Sequence, residues 1–330
     1  MSTEVPPLAP AVTRRVHPAY WVISLTLAGT LLYWSLRGIE WSRVGSILAT
    51  AKLPYVVLAI ALCSVNMFLR AFRWRILMTA EGHVGIATAF WATAAGYFGN
   101  NFLPARAGEI VRTVMVSSRT ALSKAFVLTT ALAERMADAV ALVLISASVL
   151  AVLPEKPAWL VQAMRVFAVV GAVGIIGIIA IPKLERFWTY FLQRAPVPDK
   201  LRYRLMHMLS QILLGIRSFH DLGRVFGFLA LTMVIWFIDA VFTVLGGEAL
   251  GLPIDLRMAF LLVAGLGLGS ALPSTPGYVG IYQFVAVTVL VPFGLSRTDS
   301  IAYILFAQAL IYVVVSFWGV LALVRFRRST

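Results

Sequence analysis

This 330-residue chain has one cysteine, four histidines and only 13% charged residues. The lone Cys63 lies in an apolar run, which excludes a disulfide framework and a cysteine-based metal site. His17, His83, His207 and His220 all fall outside the long apolar segments, so neither a membrane-depth histidine metal site nor an HExxH protease is expected. No P-loop pattern occurs, so ATP-driven work would need another subunit. No lysine sits deep in an apolar segment, which argues against a Ser–Lys nucleophile pair, and the loops on one side are too short for a catalytic domain. The expectation is a chain that is not an enzyme, with no catalytic residue, no metal and no cofactor.

What the chain has in abundance is apolar sequence: 60% hydrophobic residues and a mean hydropathy of +0.89. Soluble domains carry about 25% charge, so this is the composition of a polytopic membrane protein. The net charge of +14 reads as cytoplasmic loops facing anionic lipid rather than nucleic acid. Residues 1–15, rich in proline, are expected to be a disordered cytoplasmic tail. Arg14 and Arg15 then precede an apolar run with no small-x-small cleavage site, which reads as an uncleaved first helix.

The predicted spans lie at about 18–36, 53–70, 124–152, 160–181, 225–249 and 301–324. Two further apolar stretches break in the middle. In the first, 107–118 is too short to cross: twelve residues at ~1.5 Å each reach roughly 18 Å of a ~30 Å hydrocarbon layer. In the second, 258–296 runs uncharged for 39 residues and is interrupted by Pro273, Pro276 and Gly277. Both fit G-x6-L-P-x3-G, at Gly96/Leu103/Pro104/Gly108 and at Gly265/Leu272/Pro273/Gly277. The fold class predicted is therefore all-α and polytopic, with about six full transmembrane helices and two re-entrant broken-helix hairpins. These form an inverted repeat, about 16–153 and about 157–325, within one transmembrane domain spanning 16–325.

Charge placement orients the layout. With both termini cytoplasmic, 18 of 28 basic residues fall inside, including Arg70, Arg73, Arg75 and eight in the 183–224 loop. That loop also carries a helical stripe at Leu201, Leu205, Met208, Leu209, Ile212 and Ile216, expected to lie on the membrane surface. Tryptophans 21, 41, 74, 159 and 188 read as an aromatic belt.

The polar residues at the breaks are the candidate binding site. Arg106, Glu109 and Arg112 recur at i, i+3 and i+6, and one ion at the bilayer centre costs roughly 2.5–3.5 kcal/mol. Two readings stay open. The group is an internal ion-pair network, or Arg106 faces a head-group phosphate beside a half-helix N-terminus, with Asn100 and Asn101 adding neutral hydrogen bonds. Glu134 and Asp138 share a helix face with Arg135 beside them, either coupling to protons or neutralising arginines. Asp239 is the only carboxylate in the middle of its span and needs a proton or an arginine from another helix. At the second break, Ser274, Thr275, Pro276, Gly277, Tyr278 and Gly280 leave backbone groups open to a ligand.

Four strings carry a resemblance: LRAFRWRIL (69–77), GYFGNNFLPARAGEIVR (96–112), AERMAD (133–138) and PSTPGYVGIYQF (273–284). In the same order they resemble motifs of the lysylphosphatidylglycerol synthase transmembrane-region family of flippase-like proteins, over roughly 20–325. The resemblance implies motif roles for Asn101, Pro104, Arg106, Gly108, Glu109, Arg112, Glu134, Arg135, Asp138, Pro276, Gly277 and Gly280. Because the chain ends at Thr330, just past the last span, it implies a stand-alone flippase-like member without the synthase domain. Many members have a second glycine after Pro-Gly and an acidic residue near that motif's end; here those positions hold Tyr278 and Gln283. The expected function is movement of a phospholipid or lipid-linked head group, anionic or zwitterionic, across a bacterial inner membrane. The alternative is a non-transporting accessory subunit of a lipid or polysaccharide biosynthesis enzyme. The partners foreseen are membrane lipids, such an enzyme, or a second copy of the chain.

Overall fold

The computed structural model describes residues 18–103, 107–152, 185–194, 198–217, 221–270 and 275–327, with scattered positions between 162 and 180. Among these, all regular structure is helical. The α-helices are α1 (Pro18–Leu36), α2 (Trp41–Ala49), α3 (Leu53–Met78), α4 (Ile86–Phe102), α5 (Gly108–Ser117) and α6 (Lys124–Val152). They continue with α7 (Glu185–Arg194), α8 (Asp199–Arg217), α9 (Leu222–Leu250), α10 (Leu256–Gly269), α11 (Ile281–Leu290) and α12 (Arg297–Arg327). Short 3₁₀ turns at Pro276–Tyr278 and Val291–Phe293 flank α11. Among the described residues, four stretches are long and apolar enough to cross a membrane: α3, α9, α12 and Pro276–Phe293, with α10 a shorter apolar helix. The protein is a multi-pass membrane protein.

Local sequence sets the ends of these helices. Pro54 occupies the first turn of α3, where its missing N–H costs nothing. The Asp221 and Asp255 carboxylates accept from the Arg224 and Met258 amides, capping α9 and α10, and Gly251 closes α9 in the left-handed region. Leu103 and Thr275 each precede a proline in the sequence, and both are extended (ψ 148° and 157°): Leu103 ends α4, and Thr275 caps the start of the Pro276–Tyr278 turn.

Each broken stretch folds back on itself. Gly96 lies against Arg112 and Gly99 against Gly108, so α4 and α5 form an antiparallel hairpin. A Cβ on Gly108 would land on the Gly96 carbonyl oxygen, which explains glycine there. In the second hairpin, Gly265 lies against Val285 and Gly269 against Ile281, pairing α10 with α11. The hairpins open toward opposite ends of the bundle. Hairpin one opens at the end holding the α5–α6 turn, α8 and the end of α12: Ser123 donates to Gln211 (2.5 Å), and Arg119 lies over the Phe326 ring. Hairpin two opens at the end where Lys52 N donates to the Ala249 carbonyl and Arg43 pairs with Asp299. Between the hairpins, α3 and α9 run antiparallel, with Asn66 meeting Asp239 and Arg73 meeting Thr232. The closing helix α12 packs on α4, and α6 packs on α10.

Several expectations need correction. The second span runs to Met78 rather than 70, so Arg70, Arg73 and Arg75 belong to a helix and not to a loop. Arg73 is fully buried, which removes it from the cytoplasmic count together with Arg70. The 37–52 loop contains an unforeseen helix, α2. Trp74 is no belt residue. It is fully buried, donates to Thr130 Oγ1 (3.2 Å) and faces the Arg112 guanidinium. The expected tail at 1–15 and most of the expected span at 160–181 lie outside the described residues.

Candidate functional site

Helices α3, α5 and α6 bring six charged side chains into a closed ring of alternating sign. Going round, Arg135 meets Glu109 (3.1 Å), Glu109 meets Arg112 (2.5 Å) and Arg112 meets Glu134 (3.0 Å). Glu134 then meets Arg73 (2.9 Å), Arg73 meets Asp138 (2.6 Å), and Asp138 returns to Arg135 (3.9 Å). Three arginines and three carboxylates cancel. Such a ring is the arrangement in which buried ions persist, because each charge and most of its donors are matched. Aromatic faces complete the shell: Trp74 under Arg112 (4.4 Å), Phe228 under Arg73 (4.9 Å) and Tyr97 near Arg135 (5.6 Å).

A second neutral pair stands beside the ring. Arg70 and Asp239 lie 2.5 Å apart, and Asn66 Nδ2 donates to the other carboxylate oxygen at 2.5 Å. The arginine that Asp239 required comes from α3. Sequence reasoning placed Arg70 and Arg73 at the interface and missed both. The available signal was Asn66, Arg70 and Arg73 at i, i+4 and i+7, one polar stripe on an otherwise apolar helix.

Hairpin two is tied down without charge. The Gly277 carbonyl accepts from Gln308 Nε2 (3.1 Å) and from the Tyr312 hydroxyl (2.7 Å). Gln308 Oε1 accepts from Gln283 Nε2 (2.5 Å), and Gln283 Oε1 accepts from the Gly280 amide (2.7 Å). A carboxylate at 283 could accept from Gly280 but could not donate to Gln308, which accounts for glutamine at that position. Gly277 (φ +72°), Tyr278 (φ +60°) and Gly280 (φ +91°) all lie in the left-handed region. Tyr278 is the one non-glycine there among the described residues, and this conformation costs about 1–2 kcal/mol for a side-chain-bearing residue. Its ring stacks on Tyr282 at 5.0 Å.

The two tips meet. The Pro276–Tyr278 turn packs against the end of α4, and Phe102 of α4 lies 6.4 Å from the Tyr312 ring. Between tips and long helices is a cavity of about 240 Å³. Asn66, Arg70, Asn100, Asn101, Arg135 and Asp239 form its polar wall, and Tyr278, Tyr282 and Trp236 are among its aromatic lining.

Of the predicted site residues, Asn100, Asn101, Arg135, Tyr278 and Asp239 line this cavity. Glu109, Arg112, Glu134 and Asp138 stand in the ring behind it. Gly108 makes the hairpin-one close approach, and Thr275, Pro276, Gly277 and Gly280 shape the second tip. Pro104, Arg106 and Ser274 lie outside the described residues. The arrangement offers hydrogen bonds and aromatic faces to a ligand at membrane depth, and no group of three or more metal-ligating side chains occurs among the described residues.

The family model described as the lysylphosphatidylglycerol synthase TM region matches residues 21–319. The chain belongs to that family. No curated protein is similar enough to match the chain. In this lysylphosphatidylglycerol synthase TM region protein, the family match takes in both hairpins, the ring and the cavity between them.

Proposed function

We propose that the protein is a lipid translocator of a bacterial inner membrane, moving a phospholipid or a lipid-linked head group between leaflets by alternating access. The observation that carries this reading is the cavity between the two hairpin tips, whose polar wall at membrane depth offers a place for a lipid head group. In this reading about six helices span fully and the two hairpins are re-entrant. Their opening toward opposite ends of the bundle, and the antiparallel crossing of α3 and α9, are what two inverted halves would produce. Both termini are assigned to the cytoplasm, and Arg75, Arg119, Lys124 and the basic segment around α8 still outnumber the opposite end's charges. No chemical step is assigned to the chain. Hairpin one supplies a fixed wall and hairpin two the gate.

The test is purified protein in phosphatidylcholine liposomes carrying fluorescent reporter lipids with different head groups, followed by dithionite quenching. Protein should speed exchange of at least one reporter. Ala307→Phe, which fills the cavity, and Asn101→Leu should each slow exchange about tenfold or more while keeping the wild-type elution profile. Exchange at the protein-free rate for every reporter would overturn the reading. The closed ring favours one other reading, since its charges satisfy one another and can be structural. The protein would then be an accessory subunit of a biosynthetic enzyme, and that enzyme should co-purify with an inactive translocator.

A further inference from the structure

We infer that Asp239 is a proton-binding site, and that parting the two halves of the bundle takes up one proton there. This rests on the translocator reading, because the parting is the movement that alternating access requires. Ion pairs within one half and ion pairs across the two halves meet different fates in that movement. Arg73, Glu109, Arg112, Glu134, Arg135 and Asp138 all belong to the first half, so the ring travels as one body. Asp239 is different. It stands on α9 in the second half, and both groups that hold its carboxylate, Arg70 (2.5 Å) and Asn66 (2.5 Å), stand on α3 in the first.

These contacts belong to one polar seam, with Asn66, Arg70 and Arg73 on α3 set against Asp239, Trp236 and Thr232 on α9. A shift of α9 along or away from α3 removes the arginine and the amide together. Arg43 and Asp299 also join the halves, but the Arg43 side chain is 52% exposed at the end of the bundle, where water takes the partner's place. Asp239 lines the cavity with 26% of its side chain exposed. A proton can reach it there, while the full hydration that an anion needs is denied.

Among the described residues, the groups facing Asp239 are Arg70 and Cys63 on α3 and Asp138 on α6. Arg135 on α6 and Tyr97 on α4 face Arg70. The only charged residue on α10 is Arg257, in its first turn, and α12 presents Tyr303, which donates to the Thr243 carbonyl. Arg73 and Arg135 are engaged by the ring, and Asp138 repels an anion. A carboxylate that loses its arginine in such a setting takes a proton rather than keep its charge. Arg70 stays charged throughout, and Asp138, which interacts with it from the same half, moves with it. The proton comes from water on the face to which the cavity is open. It returns to water when Arg70 closes on the carboxylate again, and the O–H bond is the only one formed or broken.

The experiment follows the movement itself. Two Cys63→Ser proteins carry spin-label pairs at exposed positions, one with Glu81→Cys and Leu222→Cys and one with Leu53→Cys and Glu248→Cys. The pairs report the two ends of the α3–α9 seam. Label distances are read by pulsed electron–electron double resonance in phosphatidylcholine nanodiscs, between about pH 5 and pH 8. Lowering the pH should enrich the separated form at one end by about fivefold or more, since one linked proton can shift the ratio up to about tenfold per pH unit. Asp239→Asn, which keeps an oxygen for Arg70 to donate to, should abolish the response. Asp239→Glu should keep it with a displaced midpoint. Distances that ignore pH overturn the inference, as does a response that survives Asp239→Asn. If the asparagine variant does not fold, an unmoved midpoint in Asp239→Glu overturns it alike. Opening that depends on Asp239 and pH, without lipid exchange in liposomes, would leave the proton site standing and remove the translocator reading. Exchange at one rate across the pH range, with distances that ignore pH, would do the reverse.

Discussion

Hairpin one is held by charges and hairpin two by amides, although one motif builds both. Gly96 and Gly265 serve alike, each letting the second leg approach the first. Gly108 and Gly277 occupy the same motif position and differ. Gly108 is needed because another backbone lies where its side chain would be, Gly277 because of a φ of +72° and because the Tyr312 hydroxyl fills that space. Behind the first tip stands a ring of six ions with Arg73, Glu134 and Asp138 almost wholly buried; behind the second stands the Gln283–Gln308–Tyr312 chain, which is neutral. A buried ion network punishes the loss of any member far more than a neutral hydrogen bond does. On the proposed translocator reading, the first tip is therefore the one expected to hold its position and the second the one expected to move.

The sharpest way to break that contrast is Arg73→Leu. It leaves Glu134 with only Arg112 and strips Asp138 of its bidentate partner, so the expected loss is about 3–5 kcal/mol, read as a lowered SDS-unfolding midpoint. Gln308→Leu, at the matching place behind hairpin two, should cost about 1–3 kcal/mol by stranding the Gln283 amide. If the two substitutions cost the same, the hairpins are anchored equally and the distinction between wall and gate fails.

Gly108→Ala comes next. The added methyl collides with the Gly96 carbonyl, which belongs to backbone and cannot swing aside, so overpacking should cost roughly 1–3 kcal/mol. The same change at Gly251, a left-handed cap with open space around it, should cost only about 1 kcal/mol from backbone strain. Equal losses would mean that the α4–α5 contact relaxes freely and the tight hairpin is not required.

How much of this could be seen in the chain alone follows from sequence separation. The breaks were legible because proline and glycine act on their immediate neighbours: Leu103 is extended where Pro104 follows, and Thr275 where Pro276 follows. The chemistry behind each tip was not legible in the same way. Glu109 and Arg112 are three residues apart, but Arg73 finds Asp138 65 residues away and Arg70 finds Asp239 169 away. An arginine near the end of an apolar run has two physical outcomes, snorkelling to the interface or burial against a carboxylate, and only packing decides between them. Gln283 and Gln308 stand out as polar residues within apolar helices, but an amide both donates and accepts, so nothing in the sequence says which partner each one takes.

The smallest expected change is the most discriminating. Tyr312→Phe removes one of two donors to the Gly277 carbonyl while Gln308 remains, and it keeps the ring beside Phe102. Stability should fall by only about 0.5–1.5 kcal/mol. If hairpin two is the part that moves, that loss falls on the closed state alone, and the balance of open and closed forms shifts by the same free energy, about twofold to tenfold. Lipid exchange should then change by more than the unfolding midpoint suggests, whereas Arg73→Leu should lower both together. A Tyr312→Phe protein with wild-type exchange would show that the Gly277 tether is not broken in the transport cycle, and the gate would have to be sought elsewhere.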